Sequence, residues 1–277
     1  MRNIKPTLTP NLEEHVGSDM VKRSVPYQVE TYTELVEEVA NLAYQNKDYL
    51  LFYRGQDQDY LNKAGSSTFY PTIYRKDVLT AHEARLRFDM LELAEIYLAD
   101  TFDREVLDGR TDVRRKTLIA WSILQHYGIC DTPLLDLTHS LHVACTFAQL
   151  NNENERGLVA IFGLPYTTNR ITYNSEHDLV IVRLLSICPP MALRPYFQEG
   201  YLAGTMDITQ EYTDKSELDF SNRLIAKFSI PTDLSFWGQK FDAIPQNLLF
   251  PPDDRMEEIS KEIKKQVISE MKSVFMT

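Results

Sequence analysis

The sequence predicts a single α+β domain, with helices in the first half of the chain, strands in the second half and a closing helix. Two pairs with capping-box spacing, Thr31 with Glu34 and Thr80 with Glu83, each precede apolar residues at helical intervals. Three short runs rich in β-branched residues come later, at positions 157–163, 179–185 and 224–230. Because these strands follow one another instead of alternating with helices, we expect a mixed, mostly antiparallel sheet after the N-terminal helices.

The first fifth of the chain divides into an arm and the start of the domain. Residues 1–26 are polar and interrupted by prolines, which predicts an irregular N-terminal arm before a domain that spans residues 27–277. Apolar residues at helical intervals predict the first helix of the domain over residues 33–46. The aromatic and apolar segment 49–53 then predicts a buried strand that runs directly into an Arg-Gly pair.

The rest of the chain continues with further helices and strands. Residues 56–76 are predicted to form a loop, since glycine, serine and a Tyr-Pro pair interrupt any period there. After the long amphipathic helix behind the second capping box, residues 116–127 predict another helix that ends at Gly128. Ser140 is in position to cap a short helix. Apolar residues that recur every four positions over residues 259–271 predict the closing helix.

Charge and cysteine content limit the classes of function. The chain has 29 Lys and Arg against 40 Asp and Glu, a formal net charge of −11. This balance argues against a sequence-independent nucleic-acid binder, which needs basic side chains to neutralise phosphates. The three cysteines are widely spaced, so we expect free thiols in a reducing cytoplasm. The sequence shows neither a signal peptide nor an apolar run long enough for a transmembrane helix, which predicts no membrane association.

The first candidate for a binding site is the end of the early strand, at Tyr53-Arg54-Gly55. An arginine offers a planar set of donors suited to phosphate or carboxylate. A glycine lets a ligand approach the main chain closely. The same residues are also typical of a structural ion pair followed by a turn, so both interpretations are open at this level.

The second candidate is a polar block between two apolar segments. Its members are Gln125, His126, Tyr127, Asp136, Thr138 and Ser140. Polar groups beside a core need hydrogen-bond partners, because an unpaired one costs about 1–3 kcal/mol. One interpretation is structural, with Asp136 and Ser140 capping a helix and His126 satisfied at a helix end. The other is that the block lines a functional site.

Two other kinds of chemistry can be considered for the same region. Four potential metal ligands are spaced three residues apart: Asp136, His139, His142 and Cys145. Asp136, His139 and His142 would suit a metal-dependent nuclease, but zinc ligands on one helix usually include a pair four residues apart. A nucleophilic role for Cys145 has no better support, because a cysteine on an apolar helix face is more often part of the core.

The third candidate is the segment 194–201, in which Gln198 and Glu199 precede a glycine before a predicted strand. A carboxylate at such a turn can hydrogen-bond a sugar hydroxyl and stabilise developing positive charge. An ordinary surface turn is the alternative interpretation.

Taken in order, these segments resemble the FRG domain, which is named after a Phe/Tyr-Arg-Gly element. The elements of the resemblance are 53–55 (YRG), 70–75 (YPTIYR), 125–128 (QHYG), 134–138 (LLDLT), Ser140 with Ala144, Phe147 and Ala148, Arg194 with Gln198 and Gly200, and 248–251 (LLFP). The resemblance covers residues 50–263, most of the chain. The FRG domain is itself similar to ADP-ribosyltransferases of the Arg-Ser-Glu type, which implies an ADP-ribosyltransferase-like fold for residues 27–277.

The resemblance implies a site that takes NAD as substrate. The implied catalytic residues are Arg54, Thr138, Ser140, Gln198 and Glu199. The implied NAD-binding residues are Tyr53, Arg54, Gly55, Tyr74, His126, Tyr127 and Asp136. In this scheme Arg54 holds the diphosphate or ribose and the Gly55 backbone holds the nicotinamide amide. Either Tyr53 or Tyr127 stacks on the nicotinamide ring.

The implied reaction cleaves the nicotinamide–ribose bond, which builds up oxocarbenium character that a nearby carboxylate stabilises. Glu199 would do this directly, whereas Gln198, which matches the family position better, is neutral. The resemblance implies a cytoplasmic toxin of bacterial conflict or phage defence that modifies a protein or a nucleic acid and is neutralised by an antitoxin protein. The alternative is a non-catalytic module that binds a nucleotide or a partner protein.

Overall fold

The described part of the chain folds as one α+β domain around a single eight-stranded sheet, which confirms the predicted fold class. The computed structural model describes residues 1–76, 79–206 and 214–275. The strands are β1 (Tyr27–Gln28), β2 (Leu50–Gln56), β3 (Leu135–Thr138), β4 (Arg156–Leu164), β5 (Ile171–Asn174), β6 (Leu179–Arg183), β7 (Gly200–Gly204) and β8 (Leu224–Pro231). Their order across the sheet is β1-β8-β4-β2-β3-β7-β6-β5. β1 and β8 are parallel, and the other neighbouring strands are antiparallel, as expected for a mixed, mostly antiparallel sheet.

Ten α-helices occur in these residues, and the predicted ones are among them. They are α1 (Pro10–Val16), α2 (Tyr32–Gln45), α3 (Ala81–Arg104), α4 (Arg110–Arg115), α5 (Thr117–His126), α6 (Leu141–Gln149), α7 (Leu184–Ile187), α8 (Arg194–Phe197), α9 (Gln246–Leu249) and α10 (Arg255–Phe275). The helix predicted over residues 33–46 is α2, and the one predicted over residues 116–127 is α5. Among the described residues, no helix combines the length and apolar character that spanning a bilayer requires.

Side-chain caps fix where several of these helices begin. Thr31 Oγ1 accepts a hydrogen bond from the backbone N–H of Glu34 at the start of α2 (3.2 Å). Thr80 and Glu83 form the full reciprocal capping box at the start of α3. Ser140 caps α6 by accepting from a backbone N–H in its first turn. Each cap satisfies a donor that has no partner within its helix, so these boundaries follow from the local sequence.

The N-terminal arm differs from the prediction, because residues 10–16 form α1. Thr9 caps this helix, and Pro10 occupies its first turn, where a missing N–H loses no hydrogen bond. Leu12 is buried, and the Thr9 hydroxyl donates to the buried carboxylate of Glu38 on α2 (2.8 Å). The prediction of an irregular arm is therefore wrong for these residues, since packing against α2 stabilises a helix within a polar sequence.

Two groups of helices cover one face of the sheet, and the candidate site residues lie between them. α2 and α6 pack on β2, β4 and β8, whereas α3, α5 and α10 pack on β6 and β7. Matched residues of antiparallel strands project to the same face. The matches Tyr53–Thr138 and Asp136–Leu202 therefore place these four residues on the helix-covered face.

α6 lies close to β2 and β4 because two strand residues are glycines. A Cβ atom on Gly55 would lie 1.9 Å from the backbone oxygen of Ala144. A Cβ atom on Gly157 would lie 2.3 Å from the backbone oxygen of Ala148. Neither glycine has a positive φ angle, so glycine is required here by the distance between helix and sheet.

The strand β2 has one closed edge and one open edge. Along β4 the register matches all 7 residues of β2, from Leu50 to Gln56. Toward β3 the register of the described residues contains the single match Tyr53–Thr138. β3 continues instead along β7, with four matches from Leu135 to Thr138. β2 and β3 therefore separate beyond Tyr53, and a cavity opens between them.

Candidate functional site

A cavity of about 250 Å³ lies where β2 and β3 separate. Its polar lining residues are Arg54, His126, Asp136, Thr138 and Gln198. Its aromatic lining residues are Tyr53, Phe147 and Phe250, and Gly55, Leu137 and Gly200 complete the wall. All three segments that the sequence singles out contribute to this one cavity. The predicted site residues that reach it are Tyr53, Arg54, Gly55, His126, Asp136, Thr138 and Gln198.

Arg54 spans the gap between the two strands. Its Nη1 donates to the backbone oxygen of Asp136 (2.6 Å), and its Nε donates to Oε1 of Gln56 (2.9 Å). Burial, followed by the charge of nearby Arg75, lowers the pKa of Arg54 to about 10. The guanidinium is therefore charged at neutral pH, and the donors that these two bonds do not engage remain for a ligand.

Asp136 and His126 form a polar pair beside Arg54. His126 Nδ1 lies 3.6 Å from Asp136 Oδ1, and Gln125 Nε2 donates to Asp136 Oδ2 at 2.5 Å. Burial opposes ionisation of Asp136, but hydrogen bonding to His126 and Gln125 and the charge of Arg54 together lower its pKa below the usual value. The cavity therefore contains a carboxylate that is ionised at neutral pH.

The His126 ring is held mainly by packing. Its side chain is 5% exposed, and its Nε2 has no hydrogen-bond partner among the described residues. A Cβ atom on Gly200 of β7 would lie 2.8 Å from Cδ1 of Leu184 and 3.3 Å from Cε1 of His126. The glycine that follows the Gln-Glu pair therefore makes room for both side chains.

Thr138 joins β3 to the segment that precedes β7. Its Oγ1 donates to the backbone oxygen of Gln198 (2.8 Å) and accepts from the backbone N–H of Ser140 (3.0 Å). The Gln198 side chain is buried, and its Nε2 donates to the backbone oxygen of Leu249 (2.8 Å). This bond fixes the amide and leaves its carbonyl oxygen as the acceptor that the cavity offers.

Buried Asp254 organises the wall that contains Phe250. Its Oδ2 accepts from the Tyr127 hydroxyl (2.9 Å) and from the backbone N–H of Arg194 (3.0 Å). The Arg194 guanidinium lies 5.1 Å from the Tyr127 ring centroid and 5.0 Å from that of Phe250, so it is stacked between the two rings. Arg194 also forms an ion pair with Glu257. Three separate segments, which contain Tyr127, Arg194 and residues 250–257, therefore position this wall.

Two tyrosines to which the family resemblance gives a role in NAD binding lie in the core instead. Tyr74 is 1% exposed, and its ring packs against Phe88. Tyr127 is 6% exposed, and burial together with the neighbouring Asp254 carboxylate raises its pKa. Neither ring lines the cavity, so the assignment of both to nucleotide contact is corrected: they pack the core and, through Tyr127, hold Asp254.

Ser140 and Glu199 also lie outside the cavity lining. The Ser140 hydroxyl is used as the cap of α6. Glu199 is exposed and has a φ angle of 43°, in the left-handed region. Because the backbone turns here, between α8 and β7, the side chain of Glu199 does not follow that of its neighbour Gln198 into the cavity. Of the two alternatives that the sequence leaves open, the structure places Gln198 in the cavity.

Two phenylalanines of the cavity wall are not among the predicted site residues. Phe147 on α6 and Phe250 after α9 are in edge contact, with ring centroids 6.0 Å apart. Both belong to elements of the family resemblance, which is the signal that points to them. An aromatic residue in an apolar segment is more often part of a core, so composition alone does not separate these two from the core phenylalanines.

The geometry does not favour the metal-dependent nuclease or the cysteine nucleophile. Within residues 1–76, 79–206 and 214–275, no group of three or more His, Cys, Asp or Glu is arranged to hold a metal ion. His142 Nε2 lies 2.6 Å from the backbone oxygen of Asp242, away from Asp136. Cys145 is fully buried, and burial raises its pKa, which disfavours the thiolate that a nucleophile needs.

Comparison with known proteins gives one match. Residues 50–157 match the model of the FRG domain. This range contains β2, β3 and α6 and therefore most of the cavity wall, whereas Gln198, Gly200 and Phe250 lie beyond it. No curated protein and no solved structure matches the chain.

Proposed function

Because residues 50–157 match the model of the FRG domain, we propose that the chain is an NAD-dependent mono-ADP-ribosyltransferase-like enzyme. The observation that carries this proposal is that Arg54, Thr138 and Gln198, which come from three separate segments, line one cavity. Their types and order along the chain are those that the likeness to Arg-Ser-Glu-type transferases implies. The proposal draws on geometry and family likeness together, since a fold alone does not establish an activity.

The cavity has the size and chemistry to take one end of NAD. Its volume of about 250 Å³ lies just below the range of about 300–1,000 Å³ that is common for ligand pockets. It therefore suits the nicotinamide ring with its ribose. Tyr53, Phe147 and Phe250 offer aromatic surface for the ring, and the Gln198 side-chain oxygen offers an acceptor for a ribose hydroxyl. The adenosine diphosphate part would extend along the open edge of β2, past Arg54.

Asp136 supplies the negative charge that the reaction needs. When the bond between ribose C1′ and the nicotinamide nitrogen breaks, its electron pair leaves with nicotinamide, and positive charge develops on the ribose. The Asp136 carboxylate is ionised at neutral pH because its pKa is lowered, and it would stabilise that charge electrostatically. The acceptor then forms a bond to C1′ and releases its proton to solvent.

The proposed acceptor is a protein side chain or a nucleic-acid base. The net charge of −11 disfavours tight, sequence-independent binding of RNA or DNA, so a nucleic-acid acceptor would be recognised through a single base in the cavity. The proposed biological role is that of a toxin in bacterial conflict or phage defence, held inactive by a neutralising partner protein. A basic partner would suit the acidic charge of the chain.

The test is to incubate the protein with NAD labelled in its ADP-ribose part and to measure nicotinamide release and label transfer to lysate protein or nucleic acid. We expect Arg54→Gln to lower nicotinamide release about 100-fold, comparable to the loss of a preorganised electrostatic contact. Arg115→Gln, which removes an exposed arginine on α4, is the matched control and should not change the rate. Release that is no faster than in buffer, for the wild-type chain with any lysate, contradicts the proposal.

A non-catalytic nucleotide-binding module is the second candidate. One observation favours it: neutral Gln198 reaches the cavity, while the carboxylate of Glu199 does not line it. An amide stabilises positive charge less well than a carboxylate, which would leave binding without turnover. Wild-type protein that binds NAD but releases no nicotinamide, together with loss of binding in Arg54→Gln, would identify such a module.

A further inference from the structure

Gln125 belongs to the polar block of the sequence, but the proposed function gives it no role. It is the next-to-last residue of α5, and its side chain is buried. It does not line the cavity. Its amide reaches the site through one contact, in which Nε2 donates to Oδ2 of the Asp136 carboxylate (2.5 Å). Any effect of Gln125 on the proposed reaction must therefore act through Asp136.

Two threonines hold the oxygen of the same amide. Oε1 of Gln125 accepts from the hydroxyl of Thr132 (2.5 Å) and from the hydroxyl of Thr72 (3.2 Å). Thr132 is fully buried and directly precedes the segment that leads into β3, whereas Thr72 begins the 3₁₀ turn Thr72–Tyr74. The Gln125 amide is thus held at both of its polar atoms, by two segments that are remote from each other in sequence.

The hydroxyl contacts determine which way the amide faces. Each hydroxyl already accepts from a backbone N–H: Thr72 Oγ1 from that of Thr132 (3.0 Å), and Thr132 Oγ1 from that of Leu134 (3.3 Å). Both hydroxyls therefore offer their protons to Oε1 of Gln125, which directs Nε2 toward Asp136. In the reversed orientation an amide oxygen would lie against the carboxylate, and two acceptors at that distance repel. The arrangement therefore fits an ionised Asp136.

Gln125 makes the shorter of the two side-chain contacts to this carboxylate. On the other side, His126 Nδ1 lies 3.6 Å from Asp136 Oδ1, and Nε2 of His126 has no partner among the described residues. The histidine ring is thus not anchored by a second hydrogen bond, whereas the Gln125 amide is anchored by two. Burial opposes ionisation of the carboxyl group, and the contacts of His126, Arg54 and Gln125 together lower its pKa.

We propose that Gln125 is a positioning residue: its amide, oriented by the hydroxyls of Thr72 and Thr132, holds the Asp136 carboxylate in place in the cavity wall. This inference rests on the proposed function, in which Asp136 stabilises positive charge on the ribose. Such stabilisation depends on a charge that is fixed before the reaction begins. A displacement of about 1 Å can cost about 100-fold in rate, even when the substituted residue does not touch the substrate.

The experiment follows the Asp136 carboxyl group by carbon-13 NMR as the pH is lowered, in the wild type and in Gln125→Met. Asp136→Asn assigns the signal. Methionine is of similar size to glutamine but donates no hydrogen bond. Because hydrogen bonding to the charged form is lost, we expect the midpoint of the titration to rise by about 0.5–1 pH unit. Gln125→Glu should also raise the midpoint, since a neighbouring carboxylate disfavours a second negative charge.

Two controls separate this effect from a general loss of stability. Gln149→Met removes an amide that bonds to the Pro231 backbone and to Trp237, away from Asp136, and it should leave the midpoint unchanged. Thr132→Val removes a hydroxyl that orients Gln125 and should raise the midpoint, whereas Thr132→Ser keeps the hydroxyl and should restore it. This pair of variants carries the test if Gln125→Met does not fold.

Nicotinamide release gives the second measurement. We expect kcat of Gln125→Met to fall about 10- to 100-fold with KM unchanged, because the lost interaction acts on the charge of the transition state. A raised KM with an unchanged kcat would instead place Gln125 in substrate binding and overturn the positioning role.

The outcomes of the titration separate this role from the proposed reaction. One midpoint shared by the wild type, Gln125→Met and Thr132→Val overturns the positioning role, even when NAD is turned over. A midpoint that rises in both variants supports it, including the case in which the wild type releases no nicotinamide and the transferase proposal fails.

Discussion

The two edges of β2 differ in almost every physical respect. Its β4 edge is matched along the whole strand and is covered by α6, with glycine where the helix backbone comes closest. Its β3 edge has a single match, and the side chain of Arg54 bridges the gap to the Asp136 backbone. The first edge uses main-chain hydrogen bonds and close packing, and the second uses charged side chains. One strand thus serves both as a structural support and as the wall of a site.

This difference indicates that substitutions at neighbouring positions of β2 will have different consequences. A change on the closed edge should act on folding, because it disturbs backbone contacts. A change on the open edge should cost less stability and act mainly on binding, because it leaves the backbone contacts of the strand in place. The following predictions test this division, beginning with the largest expected effect.

Gly55→Ala should be the most damaging. The new Cβ atom would lie 1.9 Å from the backbone oxygen of Ala144, which cannot rotate away. We expect a loss of more than about 4 kcal/mol in the free energy of unfolding, or failure to fold. Urea denaturation, monitored by circular dichroism, measures this free energy of unfolding.

The matched control is Gly163→Ala on β4, which pairs with Leu51 of β2. There the nearest atom is the tip of the Ile225 side chain, at 2.8 Å, and it can shift. We expect a cost of about 1–3 kcal/mol, as is usual for overpacking. If Gly55→Ala costs no more than Gly163→Ala, then α6 does not determine the residue at position 55.

Asp136→Asn should destabilise the chain by about 1 kcal/mol at neutral pH, because a charge-assisted hydrogen-bond acceptor is lost. The pKa of Asp136 is lower in the folded chain than the usual value, so its ionised form stabilises the fold. That contribution is present above the unfolded pKa of about 3.9 and disappears as the pH falls through the lower folded value.

The measurement compares wild type and Asp136→Asn by urea denaturation between neutral pH and about pH 3. The difference in stability should shrink at the acid end of this range. A difference that stays constant down to the lowest pH would show that the Asp136 carboxylate is not stabilised by His126, Gln125 and Arg54.

Ser140→Ala should cost about 1 kcal/mol of stability, the usual value of a helix N-cap. Because the hydroxyl caps α6 and does not line the cavity, we expect the affinity for NAD to remain unchanged. Denaturation and calorimetry on the same variant measure both quantities. Ser140→Asp should restore the stability, since aspartate also caps helices. If Ser140→Ala instead keeps its stability but loses affinity for NAD, Ser140 takes part in the site.

Glu199→Gln should have the smallest effect. Glu199 is exposed and lies outside the cavity, so we expect a change of stability within about 0.5 kcal/mol. Nicotinamide release should stay at the wild-type rate, whereas Gln198→Ala should reduce it. A large loss of activity in Glu199→Gln alone would mean that the two residues exchange places when NAD binds.

Features that depend on neighbouring residues could be predicted from the sequence. Thr31 and Thr80 mark the starts of α2 and α3 because a cap is a contact between residues three apart. The ion pair between Glu257 and Lys261 on α10 (3.3 Å) is likewise a contact between residues four apart. The order of β-branched runs likewise gave the fold class, since strands without intervening helices favour antiparallel pairing.

Features that depend on distant contacts could not be predicted in this way. Tyr74 and Tyr127 belong to elements of the family resemblance, but their burial is set by α3 and by Asp254, which are remote in sequence. Whether Gln198 or Glu199 reaches the cavity depends on the left-handed φ angle of Glu199, a conformation that a glutamate in the sequence does not indicate. Most of the predicted site residues line one cavity, but the places of Tyr74, Tyr127, Ser140 and Glu199 are set by contacts that the sequence does not show.

The two glycines under α6 also bear on how the cavity can change its width. Ala144 and Ala148 lie directly on the main chain of β2 and β4, with no side chain between them that could change rotamer. Helix and strands are therefore expected to move as one rigid body. If the cavity widens to admit a dinucleotide, the movement must therefore occur on its β3 side. There β3 is joined to β2 by one matched pair and by the guanidinium of Arg54.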